Sequence, residues 1–531
     1  MLTESPQPNL GSADARSLRW RFWLLTPLTG LCAGLAAGLL MLLLRRVETL
    51  VWGGSASETF LDAVEAVSPA TRIGVLIGAG VLVAAGRWCL RRATGGHAAE
   101  VTEAIWFRSG AIPFWRTLVQ AILSIVIVGL GASLGREAAP KQMGAAFAAL
   151  FARWTKLSPS HARLLAAYGA GAGIAAVYNV PLGGALFALE VLLGTLSLPL
   201  IPPALVASGV ATAAAWLLLT TAPTYQIGFD PASPALIVWA LLFGPLAGVL
   251  SAAYVRLIVW SDALKPRTRW RRLATPVLVF LCLGALSVPL PQALGNGKDV
   301  VQLAFAGDLT LPLLVALVIL KPLATAACLG SGAPGGLFTP TLTLGAVFGG
   351  FCGLVWGYVW PDATLGAYAV VGAAAVLAAA TQGPVSAIVL VLELTRRLDT
   401  LMVPVVLATA GAVLVSRLID NRSLYSGRIH AGRSAADKSV QPGIVLSAAA
   451  RYAEVLRALM RASSLKMPVR VVDNRGEFLG EIDAERAQDP RPADFPLETA
   501  TAADFVKREE PAPASSGHRP PPRLGTVASG P

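Results

Sequence analysis

An arginine and a glutamate stand side by side in an otherwise apolar stretch, Arg136 and Glu137 within GASLGREAAP (131–140). Ionisable groups in such surroundings are costly to keep, so their default reading is functional. A buried ion pair that only fixes helix packing is the blander reading. It is disfavoured because adjacent residues on a helix point to different faces. A second stretch, GSGAPGGLFTP (330–340), has the same build of glycines followed by proline at the head of an apolar run. Both predict helix N-termini, with glycine allowing close backbone approach and proline suiting the first turn. Such a terminus offers unpaired N–H donors and roughly half a positive charge, enough to hold a small anion and still release it. A full lysine or arginine charge in a dry site would hold the ion too firmly, so the spacing predicts that helix ends, rather than formal cations, solvate the anion.

Other chemistries find no foothold. The body contains no Walker loop, HExxH, GxSxG or metal-ligand cluster, so an enzyme using Glu137 as a general acid would lack a partner. No cofactor or metal is expected. Cys32, Cys89, Cys282, Cys328 and Cys352 lie in apolar segments without CxxC or Cys/His spacing and read as buried thiols. Gly169, Gly171 and Gly173 superficially resemble a dinucleotide loop, but no strand precedes them, and helix packing is the better reading. Gly30, Gly34 and Gly38 form a small-residue packing ladder. His97 stands alone and reads as structural. A sodium-coupled solute transporter with broken helices is a further alternative, one that would show substrate-dependent sodium uptake.

The elements that must carry these residues are membrane helices. Of 531 residues, 55% are apolar and only 14% charged, against roughly 25% charged in soluble chains. Apolar runs such as 22–44, 118–134, 235–259 and 311–329 are long enough to cross roughly 30 Å of hydrocarbon. The net charge of +12 comes mostly from short clusters between these runs and near both ends, which reads as topological charge rather than a nucleic-acid surface. Arg16, Arg19 and Arg21 at one end, and the clusters from Arg396 to Arg433 at the other, favour cytoplasmic N- and C-termini. The first apolar run is longer than a signal-peptide core and is expected to be retained. The organisation expected is a polar arm at 1–19, a membrane body at 20–430, a small soluble appendage at 431–507 and a disordered Pro/Ser/Gly-rich tail at 508–531.

Within the body the helices are uneven and interrupted, as at AVYNVP (176–181) and TQGP (381–384). Breaks inside a membrane are tolerated only where they are buried or line a wet cavity, and matching breaks in two halves point to a binding site. The halves match: NVPLGGALFALE (179–190) and QGPVSAIVLVLE (382–393) share one Pro-to-Glu spacing, and GREAAPKQMGAAF (135–147) aligns with GGLFTPTLTLGAVF (335–348) on Pro140 and Pro340, with a one-residue offset afterwards. Two repeats, about 20–225 and 230–430, are expected. Spacing alone leaves open whether they are parallel or inverted.

GREAAPKQMG, NVPLGGALFALE, GSGAPGGLFTPTLTLGAVFG and Leu424-Tyr425-Ser426 together resemble the signature regions of the CLC chloride channels and chloride/proton antiporters, in that family's order and across roughly 20–430. The resemblance implies an all-α, polytopic membrane fold of two inverted repeats with broken, tilted helices, and a homodimer with one pore per subunit in a bacterial inner (plasma) membrane. It implies that Glu137 is the gate, occupying an anion site when ionised and swinging aside when protonated or displaced by chloride. Arg136, Gly336 and backbone N–H groups at Ala138, Ala139, Leu337 and Phe338 would face the anion, with the Tyr425 hydroxyl closing the inner side.

Three departures from the family pattern follow. The first motif, usually GSGIP, reads GGHAA (95–99), so Gly96 stands where a serine hydroxyl would touch the anion. In the second, usually GREGP, Ala138 and Ala139 replace glycine and proline. After Glu190, the position that holds the inner proton-transfer glutamate in many antiporters is Val191. A valine carries no proton, which favours a passive chloride channel. A water chain could replace that carboxylate, so chloride/proton exchange stands as the alternative.

The appendage shows helical apolar spacing over 446–463, then VRVVD (469–473), a turn at Asn474-Arg-Gly476 and EFLGEI (477–482) that read as a hairpin. This small α+β region is similar to half of a CBS domain. Such modules normally bind adenine nucleotides in pairs, so a solitary one reads as a folded or degenerate remnant in preference to a nucleotide-regulated module.

Overall fold

The computed structural model describes residues 20–53, 59–94, 100–228, 233–266, 268–361, 364–396 and 401–429, and then 444–447, 449–450, 452–465, 469–472, 478–482 and 501–505. The polar arm, the GGHAA motif with Gly96 and His97, the turn expected at 474–476 and the tail lie outside the described residues. The chain divides into two compact units, Met1–Ala436 and Asp437–Pro531.

The first unit is helical. Its first half comprises α1 (Trp20–Trp52), α2 (Phe60–Ala66), α3 (Pro69–Thr94), α4 (Val101–Phe107), α5 (Phe114–Gly129), α6 (Ala138–Trp154), α7 (Pro159–Tyr178), α8 (Pro181–Phe187), which continues as a π turn over Ala188–Leu193, and α9 (Ile201–Ala215). The second half comprises α10 (Pro234–Ala263), α11 (Arg269–Leu286), α12 (Lys298–Ala306), α13 (Leu311–Ser331), α14 (Phe338–Gly357), α15 (Leu365–Thr381), α16 (Pro384–Thr395) and α17 (Met402–Ile419). Among the described residues, seven helical segments are long and apolar enough to cross a membrane. The fold is therefore all-α and multi-pass, and its surface carries exposed Leu241, Leu242, Leu246 and Val249 along α10.

Local sequence sets the helix ends. Ser158 and Ser233 cap α7 and α10 by accepting from His161 N and Leu236 N, each followed by proline at the first helical position. The two interruptions are built alike. Asn179 ends α7 and Gln382 ends α15, both in the left-handed conformation at φ 59°, and proline restarts the chain as α8 and α16. Pro140 and Pro340 are each the third residue of their helices, α6 and α14.

Packing repeats between the halves as well. A Cβ at Gly144 would lie 1.9 Å from the Gly169 carbonyl oxygen and one at Gly169 2.2 Å from that of Gly144, so α6 and α7 touch backbone to backbone. Gly345 and Gly372 do the same for α14 and α15, at 2.6 and 2.5 Å. Gly30 and Gly34 press α1 against the carbonyls of Ala207 and Ala211 on α9, while Gly244 and Gly248 press α10 against those of Ala408 and Ala412 on α17. Small residues at helical spacing allow this approach, and without hydrophobic drive in lipid the close contact supplies the stability. The C-terminal end of α8 meets the start of α16 and the reverse, so these equivalent helices run antiparallel and the repeats are inverted.

The second unit is a small α+β arrangement. β1 (Ile444–Ser447) pairs parallel with β2 (Val469–Val472), which pairs antiparallel with β3 (Phe478–Glu481), and α18 (Tyr452–Leu465) connects β1 to β2. Val455 and Leu459 of α18 join Val469 and Val471 in its core. The helix expected over 446–463 thus begins later, because Leu446 is taken into β1 opposite Val471.

Candidate functional site

Two helix starts from opposite halves are stitched together. Gly135 N donates to the Gly336 carbonyl at 2.8 Å and Gly336 N to the Gly135 carbonyl at 2.7 Å, an isolated antiparallel bridge just ahead of α6 and α14. Glu137, 3% exposed, is the residue before α6, yet its side chain reaches the start of the other helix. Its Oε1 accepts from Phe338 N at 2.7 Å, and its Oε2 accepts from the Thr339 and Tyr178 hydroxyls, each at 3.1 Å. Tyr178, the last residue of α7, also shares a short hydrogen bond with Thr339. The carboxylate lies where the dipole of α14 is most positive.

Only glycine leaves it room. A Cβ at Gly336 would fall 1.9 Å from Glu137 Oε1 and one at Gly135 2.2 Å from Oε2. The Gly336 N–H itself is spent on the Gly135 carbonyl, so what this residue, expected to face the anion, contributes here is space. Leu337 and Phe338 are buried at the head of α14, Phe338 giving its N–H to Glu137. Ala138 and Ala139 occupy the first two positions of α6, where the backbone N–H groups have no intrahelical acceptor.

Arg136 is not the partner of its neighbour. No ion pair joins it to Glu137 among the described residues; its guanidinium lies over the ring of Tyr178, 5.5 Å from the centroid. Flanking positions project to different faces, and Tyr178, which lies under the Arg136 guanidinium, hydrogen-bonds to the carboxylate.

Tyr425 is 5% exposed in the helical segment at 424–429. Its ring meets Phe187 of α8 edge-on at a centroid distance of 5.8 Å. Ser423 and Ser426 hydrogen-bond to each other at the start of this segment. Arg428 ties it to Glu100, at the head of α4, at 3.1 Å and more loosely to Asp262 of α10 at 3.5 Å. Against the other side lies Lys141 of α6, 7% exposed, with Nζ 4.6 Å from the Tyr425 ring centroid. A formal cation thus stands beside Tyr425.

Glu190 and Glu393 act on the opposite repeat. Glu190 accepts from Val385 N and Ser386 N at 3.1 and 2.6 Å, and Glu393 accepts from Leu182 N and Gly183 N at the same two distances. Each satisfies first-turn donors of the other's helix, a structural role at helix ends. Val191, 8% exposed in the π turn, packs against Gly383, where an added Cβ would meet its Cγ2 at 2.6 Å.

Tyr178, Thr339 and Lys141 escaped the sequence reading as site residues. The first two look like ordinary helix-end residues until the halves are brought together. Lys141 carried a visible signal, a cation inside an apolar helix.

The family described as voltage gated chloride channel matches residues 73–417. Over 340 residues the chain is 34% identical to a ClcB-like protein of Ralstonia nicotianae, spanning 62% of this chain and 78% of that one. It is 30% identical over 326 residues to the H(+)/Cl(-) exchange transporter ClcA of Citrobacter koseri, spanning 59% and 69%. Among solved structures, a slow cyanobacterial Cl-/H+ antiporter superposes with a TM-score of 0.69 at 22% identity, covering 80% of this chain and all of the other. A CLC-type fluoride/proton antiporter gives 0.63 at 20% identity, covering 79% and 99%. These last two likenesses establish the fold.

Proposed function

Because the chain belongs to the voltage gated chloride channel (CLC) family of anion-transporting membrane proteins, we propose that it is a passive chloride channel whose path runs between the starts of α6 and α14, with Glu137 as the gate. The observation that carries this reading is the hydrogen bond from Phe338 N to Glu137 Oε1. An ionised carboxylate at the first donor of a buried helix is a tethered stand-in for a bound anion. Once it is protonated, or pushed out by chloride, the same N–H serves the ion. The N–H groups of Ala138 and Ala139, and the Tyr425 hydroxyl further in, supply the rest of the path in this proposal. Gly96, standing where the family motif has a serine, would lack that hydroxyl, shifting preference among halides.

Passive transport is favoured because Val191 is packed against Gly383 and can hold no proton. A second reading, chloride/proton exchange, is favoured by the 30% identity to a ClcA exchanger and by the hydroxyls of Tyr178 and Thr339 on Glu137. In either case the proposed assembly is a homodimer, one path per subunit, in a bacterial inner membrane with both termini cytoplasmic. Reconstituted liposomes under a chloride gradient decide between the readings. The channel reading expects chloride flux that cannot drive protons uphill. Uphill proton movement at a fixed ratio to chloride rejects it.

A further inference from the structure

Lys141 is placed where a cation is least at home. It is buried in the first turn of α6, whose dipole is positive at that end, so both desolvation and the helix disfavour its charge. Its ammonium has no hydrogen-bond acceptor or ion-pair partner among the described residues and lies over the ring of Tyr425. The carboxylates that reach it electrostatically are Glu100 and Glu137. Both are engaged elsewhere, Glu100 with Arg428 and Glu137 with Phe338, Thr339 and Tyr178.

From this we infer that Lys141 is itself an anion ligand, its ammonium forming with the start of α6, beside Tyr425, a binding site for a monovalent inorganic anion such as chloride. An anion there would satisfy the ammonium's donors, offset the positive end of α6, and lie on the inner side of Glu137. One bound ion removes both penalties, which a purely structural lysine would leave standing. A formal charge also binds more tightly than backbone dipoles, so this station should raise affinity and slow release, in contrast to a path built from N–H groups alone.

The inference deepens the proposed anion path and rests on it. The test uses the full-length purified protein, with sodium chloride titrated calorimetrically into wild type, Lys141→Met and Lys141→Arg, alongside chloride flux of each in liposomes. Removing the charge should weaken chloride binding about tenfold or more while Lys141→Arg retains most of it. Lys141→Gln serves as the second neutral variant if Lys141→Met fails to elute as a single folded species. Wild-type chloride affinity in the neutral variants would overturn the inference, leaving the lysine as a pin for Tyr425, and the anion path would stand if flux persists. Wild-type protein that neither binds chloride nor passes it would instead overturn the path and the inference together.

Discussion

Glu190 and Glu393 each cap the helix that carries the other, through paired hydrogen bonds of matching length, 3.1 and 2.6 Å. This exchange is the contact expected of two antiparallel elements about a local two-fold axis, and it holds α8 and α16 in register between the repeats.

Removing either carboxylate leaves two first-turn N–H groups of the facing helix with a weaker partner. Glu190→Gln and Glu393→Gln should each cost about 1–2 kcal/mol, and alanine more. Thermal unfolding of the detergent-solubilised protein measures this. A negligible change in both single variants would show that the caps are dispensable.

Glu137→Gln keeps the shape of the gate but removes its charge. The Phe338 N–H is then held by a neutral amide, a weaker competitor for chloride. Flux in liposomes should rise several-fold at neutral pH and lose most of its pH dependence. An unchanged pH profile contradicts the gating assignment.

Gly336→Ala tests the gate from the other side. The added methyl would overlap Glu137 Oε1, 1.9 Å away, and force the carboxylate from its seat while leaving its charge intact. Folded Gly336→Ala protein should therefore resemble Glu137→Gln in its pH profile. Wild-type pH dependence would mean the carboxylate does not gate from this position.

Lys321 is a second buried cation, and its role is architectural. Its Nζ donates to the carbonyls of Ala293, Leu294 and Gly295 at 3.0, 2.9 and 3.0 Å, and Gly295 N in turn donates to the Gly131 carbonyl ahead of α6. Lys321→Met should cost about 3 kcal/mol by leaving buried carbonyls unsatisfied. It should also lower the unfolding temperature well beyond the effect of Lys141→Met. Equal stability of the two variants would contradict this division of roles.

Much of the site was legible locally. Pro140, Pro340, Pro181 and Pro384 mark helix starts, the glycines before them mark close approach, and Glu137 stands out as a carboxylate in apolar surroundings. Backbone constraints of this kind act within a turn or two of chain, so neighbouring residues suffice to read them. The membrane-spanning class, the broken helices and the two-repeat plan followed from the same local rules. Which groups meet could not be read that way. That Gly336 gives space instead of a donor, that Arg136 turns to Tyr178 rather than Glu137, that Thr339 and Tyr178 hold the carboxylate, and that Lys141 reaches Tyr425 all depend on how helices from distant parts of the chain cross. Side-chain partnership is set by those crossings and by which face each helix buries. Only the assembled repeats, pressed together at Gly144 and Gly169 and at Gly345 and Gly372, fix that geometry.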